Sequence, residues 1–137
     1  MMAFGFNPTI SSWSPYHGAA YAVAEACAKV VAAGGRYERM RFSYQEYFEK
    51  MTSDPHSWGK PMSALLGALK MQMELGLPSI GGKDSMSGTF GNMSVPPTLV
   101  AFGITPVKVG NVISTDFKKP GDRIYLASHT PLKNGMP

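Results

Sequence analysis

Residues 81–88 read GGKDSMSG, directly after the apolar stretch LPSI. Eight positions hold two adjacent glycines, an ammonium, a carboxylate and two hydroxyls. Backbone N–H groups at Gly81 and Gly82 can close around phosphate oxygens because no Cβ stands in the way, and Lys83 adds a mobile cation. Asp84 supplies the hard oxygen ligand that magnesium takes, and Ser85 and Ser87 can donate to a ligand oxygen. The spacing is not that of the Walker phosphate loop: Leu77 stands where the first glycine is required, and Asp84 follows the lysine where a hydroxyl residue is required. It is not a nucleophile elbow either, since neither serine lies in Gly-x-Ser-x-Gly. A second reading of the same residues is a strand-ending turn in which Asp84 and Ser85 satisfy local backbone groups. The residues alone leave both open.

Other reactive side chains point to less. His17, His56 and His129 have no Cys, Asp or second His at a metal-ligating spacing. Cys27 lies among alanines and reads as core, not nucleophile. Tyr44, Tyr47 and Phe48 follow the basic segment RYERMR and read as packing against a partner domain. The net charge of +4 comes from 13 basic residues spread along the chain with no basic run, which argues against a nucleic-acid partner. No apolar run approaches the ~20 residues that cross a bilayer, so no membrane segment is expected. The single cysteine excludes an internal disulfide, and a reducing, cytoplasmic setting is the expectation.

The elements that would position the motif can be traced along the chain. Residues 1–13 show no clean period and are expected to be an irregular lead-in. Ser14-Pro15 is a helix start and Gly34-Gly35 the matching stop, predicting a helix over 15–33 with Val23, Cys27, Val30 and Val31 on one face. Residues 39–48 begin as a strand, and 52–61 read as a loop. From Pro61, the apolar residues Met62, Leu65, Leu66, Leu69 and Met73 recur at helical spacing up to Gly76. PSI is then a short strand feeding the glycine motif, and 97–105 is a continuous apolar run typical of a buried strand. After a turn at Pro120-Gly121-Asp122, RIYLA reads as another strand. Arriving so late, it suggests the first strand of a further domain, and hence a fragment truncated at both ends. The expected division is 1–116 as one partial domain and 117–137 as a linker and that first strand.

ISSWSPYHGAAYAVAEACAKVVAAGG, LGLPSIGGKDSMSGTF with VPPTLVAFGIT, and FKKPGDRIYLAS, in that order, resemble phosphoribosylformylglycinamidine synthase, an amidotransferase-linked ligase of purine biosynthesis. The resemblance runs nearly end to end and is to the ATP-binding-type domain of the second synthetase half, in the superfamily of aminoimidazole ribonucleotide synthetase. It implies an α/β (α+β) fold, a mixed sheet covered by two main helices. The implied reaction phosphorylates the amide oxygen of formylglycinamide ribonucleotide with ATP and displaces the phosphate with glutamine-derived ammonia. ATP and Mg²⁺ are the implied cofactors. The implied partners are a first-half synthetase domain and a glutaminase, and a homodimer that imitates the pairing of the two similar synthetase domains is also expected.

Carried over by position, Gly82 matches a glycine that lines ATP, with Gly81 beside it, Lys83 matches a magnesium ligand, and Ser85 matches a serine that contacts the ribonucleotide, with Ser87 next to it; because Lys83 is a cation, the expectation is Asp84 for the metal and Lys83 for a phosphate. Smaller members have Asn where Lys83 stands. Glu25 resembles a magnesium-binding glutamate of a second nucleotide site in the large form, where Asn occupies the position of Lys29. On the residues alone, Glu25 and Lys29 are an i,i+4 surface pair. No catalytic residue is expected within these residues, and no catalysis from them in isolation.

Overall fold

A computed structural model of the chain describes residues 1–128 and 130. A four-stranded mixed sheet is built from β1 (Met2–Gly5), β2 (Arg41–Tyr47), β3 (Ser79–Lys83) and β6 (Thr98–Ile104), in the order β1-β6-β2-β3. The β2–β3 pair is parallel, and β6 runs antiparallel to both of its neighbours. A separate small hairpin, β4 (Thr89–Phe90) and β5 (Met93–Ser94), turns through Gly91 at φ 57. The helices are α1 (Pro8–Trp13), α2 (Pro15–Ala32) and α3 (Pro55–Leu75). Helix α2 lies across β6 and β1, and α3 packs on α2. The fold is therefore the expected mixed α/β arrangement.

Capping chemistry explains the helix starts. The Ser14 side chain accepts from the His17 N–H, with Pro15 in the first turn, so α2 begins where the sequence places it. The expected loop at 52–61 is corrected. Asp54 accepts from the His56 N–H at 3.0 Å and Pro55 follows as the first helical residue, so the Asp-Pro pair that reads as a turn is a helix start. Pro61 consequently lies inside α3 instead of opening it. The irregular lead-in is corrected too: Met2–Gly5 pairs with Gly103 and its neighbours on β6, and Asn7 caps α1. Residues 123–128 form no strand within this chain. His129 and residues 131–137 lie outside the described residues.

The core sits between α2 and the sheet, where Met40, Phe42, Phe48, Val23 and Val30 are fully buried. Each such side chain contributes roughly 1.5–3 kcal/mol of burial. Val31, expected on the buried face of α2, is exposed. The larger surprise is α3: its stripe of Met62, Leu65, Leu66, Leu69 and Met73 faces outward, each residue 44–73% exposed. What packs on α2 is the opposite face, Ser57, Pro61, Ala64, Gly67 and Ala68. A Cβ on Gly67 would stand 2.0 Å from the Tyr16 carbonyl oxygen, so the two backbones meet with no room for a side chain. The sheet face turned away from the helices is also open, with Met2, Phe4, Tyr47 and Ile104 exposed along it.

Candidate functional site

The residues of the glycine motif divide between a strand and a loop. Gly81, Gly82 and Lys83 belong to β3, which among the described residues is an edge strand paired with β2 on one side only. Gly81 adopts φ 142, a backbone conformation closed to most side chains, near an irregularity in the β2–β3 register. A Cβ on Gly82 would lie 2.4 Å from the Tyr44 carbonyl oxygen. Both glycines therefore have a structural duty, Gly82 in the close approach of β3 to β2 and Gly81 in its backbone conformation. The free edge of β3 leaves exposed backbone on the side where a ligand can approach.

Beyond Lys83 the chain stays tied to β2. Gln45 Nε2 donates to the Lys83 carbonyl at 3.2 Å. The Ser85 N–H donates to the Glu46 carbonyl at 3.1 Å, and the Phe48 N–H to the Ser85 carbonyl at 2.9 Å. Gly88 closes the loop with its N–H on the Phe48 carbonyl at 2.8 Å. Ser85 Oγ and Ser87 Oγ are 3.0 Å apart. Lys83, Asp84 and Ser87 remain exposed. Ser87 also borders an open cleft of about 290 Å³, between Tyr47 and the β4–β5 hairpin. The loop is thus a fixed shelf carrying a cation, a carboxylate and two hydroxyls.

One residue of this site was not singled out from the sequence. Glu46 lies on the inward face of β2 with Phe42 and Tyr44 and is only 8% exposed. Burial, and then the Asp84 carboxylate, push its carboxyl up to about 7. Tyr44 on the same face has its hydroxyl buried without a hydrogen-bond partner. The signal was available: the alternation Phe42, Tyr44, Glu46, Phe48 puts a carboxyl among three aromatics.

The raised value has a stability consequence. Glu46 holds its proton more tightly when folded, so stability falls as pH rises from about 4.5 to about 7 and is level above that. Glu46→Gln removes the penalty. Urea unfolding in the presence of a chelator should show the variant more stable by roughly 2–3 kcal/mol at pH 8, with the difference gone near pH 4.

Glu25 is elsewhere. Its Oε2 accepts the Phe6 N–H at 2.9 Å, and its Oε1 meets the Lys29 ammonium at 2.7 Å. Lys29 also donates to the Phe4 carbonyl at 3.0 Å and lies over the Phe4 ring. The lysine hydrogen bond holds the Glu25 carboxyl below its usual range. Both oxygens thus have partners, and the group stands by β1, at the opposite edge of the sheet from Asp84. Glu25 and Asp84, expected at two different sites, lie apart. Among the described residues no three His, Cys, Asp or Glu side chains converge on a metal position. Nor, among them, is any helix long and apolar enough to cross a membrane. Cys27 is buried with its Sγ 3.7 Å from Met40 Sδ, and His17 and His56 take part in helix capping.

No protein-family profile matches the chain. A curated relative, the phosphoribosylformylglycinamidine synthase subunit PurL of Thermococcus sibiricus, is 29% identical over 133 residues, covering 94% of this chain and 18% of that one. The chain is similar to PurL. A crystal structure of phosphoribosylformylglycinamidine synthase II from Thermotoga maritima shares the fold, with a TM-score of 0.70 at 18% identity over 84% of this chain and 19% of that one. T. maritima PurL complexed with FGAR gives a TM-score of 0.60 at 20% identity, covering 88% and 18%. The same protein complexed with ATP gives 0.62 at 21%, covering 74% and 17%. The chain therefore spans about a fifth of the length of the PurL proteins it matches.

Proposed function

We propose that this chain contributes a nucleotide- and substrate-binding shelf to an ATP-dependent carbon–nitrogen ligase that makes formylglycinamidine ribonucleotide from formylglycinamide ribonucleotide, ATP and glutamine-derived ammonia. The observation that carries the reading is the shelf at 81–87, fixed to β2 and held on a chain similar to PurL. ATP and FGAR complexes of the T. maritima protein support it. In this reading Gly81 and Gly82 offer the free edge of β3 to ATP, and Lys83 places its ammonium against a phosphate. Ser85 and Ser87 orient the ribonucleotide by hydrogen bonds. Phosphoryl transfer depends on positioning and on neutralising charge, and these exposed groups are of the kind that do both.

The implied magnesium fits the residues at Asp84. Its carboxylate is exposed, is a hard oxygen donor, and adjoins the buried Glu46 carboxyl. Bound there, the ion would neutralise charge on the transferring phosphoryl group. Glu25 fits a metal poorly because Lys29 already supplies the positive charge.

A second reading, a pairing domain whose own shelf is silent, is favoured by the open sheet face with Met2, Phe4, Tyr47 and Ile104. Pairing there, with a first-half synthetase domain or a second copy, is compatible with the first reading; a glutaminase would remain a separate partner. Ala22 and Ala26 are not part of that surface: both are buried in the core, so enlarging them would test folding and not assembly.

Calorimetric titration with Mg-ATP tests the ligand assignment. Binding by the chain that is lost in Asp84→Ala is the expected result. Binding that is unchanged in the variant would overturn the role of the shelf and favour the second reading.

A further inference from the structure

Helix α3 is apolar on two faces. Its small-residue face is taken up by α2, while the second face, with Met62, Leu65, Leu66, Leu69 and Met73, continues toward the helix start through exposed Trp58. Among the described residues nothing covers it. At 100° per residue the six side chains fall within an arc of about 100°, the width of a stripe that normally faces a core. A contiguous apolar patch of this kind marks an interaction surface.

Charge is absent from the stripe. Lys60, Lys70 and Glu74, the charged residues of α3, lie off it, and each already has an ion partner, Lys60 with Glu49 and Lys70 with Glu74. A covering surface therefore has no charge to answer and is itself apolar. The spacing narrows the choice further. Trp58 and Met73, Met62 and Leu69, and Leu65 and Leu66 stand at equal distances either side of one midpoint, so the stripe matches itself when run in the opposite direction. Such self-complementarity is what a two-fold interface requires. At their observed exposures these side chains offer roughly 600–700 Å² per chain, close to the ~800 Å² that each partner gives to a standard interface.

We propose that the outer face of α3 is a dimer surface for a second copy of this chain, with the two α3 helices packed antiparallel about a two-fold axis at Leu65 and Leu66. Met62 of one protomer then packs against the partner's Leu69. Trp58 meets the partner's Met73, a thioether against an aromatic ring. The antiparallel arrangement also sets each helix N-terminus beside the other's C-terminus, which the macrodipoles favour. Because α3 stacks on α2, this surface is separate from the open sheet face and is independent of the nucleotide reading.

Sedimentation equilibrium of the chain is the test. A concentration-dependent dimer is expected, with a Kd on the order of micromolar. Leu65→Glu and Leu69→Glu change exposed positions to a good helix former, and each should weaken the dimer at least about thirtyfold while thermal melts show the fold retained. Met2→Glu, on the sheet face, should leave the dimer unchanged. Cysteine cross-linking reads the direction: the Met62→Cys, Leu69→Cys double variant should close a disulfide between copies that neither single variant forms. A wild-type chain still monomeric at about 200 µM, far above a micromolar Kd, would overturn the proposal. So would a dimer indifferent to Leu65→Glu, a dimer abolished by Met2→Glu, or cross-linking by Leu69→Cys alone.

Discussion

Asp84→Ala in the intact protein is expected to lower formylglycinamidine ribonucleotide formation by roughly 10²–10³-fold, about 3–4 kcal/mol of transition-state stabilisation. The argument is electrostatic. Asp84 is exposed at the end of β3, its neighbours are held by backbone hydrogen bonds to Glu46 and Phe48, and it makes no packing contribution that alanine would remove. Removing it should therefore leave the fold intact and withdraw a charge from the position where phosphoryl transfer needs a metal. Steady-state assays with purified protein, alongside thermal melts, separate the two effects. A fall in kcat with an unchanged melting temperature is the expected result. Full turnover by the variant would show that the shelf is catalytically silent and that the chain serves pairing.

Gly82 is a worse probe of the same site, and the reason bears on how much could be read from the sequence. The motif GGKDSMSG invites a purely ligand-centred account of its glycines, yet Gly82 is also required by the approach of β3 to the Tyr44 carbonyl, and Gly81 by its φ of 142. Spacing shows that glycine is needed; it does not show which neighbour demands it. Helix α3 teaches the same lesson on a larger scale. The periodicity of Met62, Leu65, Leu66, Leu69 and Met73 correctly marks a helix, but a stripe does not name its partner. Within this chain the packed face is the small-residue one.

Strand β6 and the caps of α2 were legible because each carries its own local signal. Strand β1 was not, because four residues pair only through β6, a hundred positions away. Glu46 fell between the two: its alternation with aromatics was visible, but the carboxylate it faces comes from a distant segment brought alongside by a parallel pairing.

The contact that sets this geometry gives the other large effect. Gly67→Val is expected to destabilise the chain by about 3 kcal/mol or more. A Cβ at Gly67 falls 2.0 Å from the Tyr16 carbonyl oxygen and 2.8 Å from its carbon, and both are backbone atoms that cannot rotate away. Overpacking of this kind typically costs about 1–3 kcal/mol, and the β-branched side chain adds bulk beyond the Cβ. Even Gly67→Ala should lose stability, although alanine favours a helix by roughly 1 kcal/mol over glycine. Gly59, on the same helix with no atom near its would-be Cβ, is the internal control: Gly59→Ala should gain up to ~1 kcal/mol. Urea midpoints of the three variants check the ordering, and a Gly67→Val chain as stable as Gly59→Ala would refute the close approach. The consequence reaches the site, because α3 is capped by Gly76, φ 65, and only buried Leu77 and Pro78 separate that cap from β3. A helix pushed off α2 drags on the strand that leads into Asp84. Partly folded Gly67 variants should therefore lose Mg-ATP binding before they lose their helical signal.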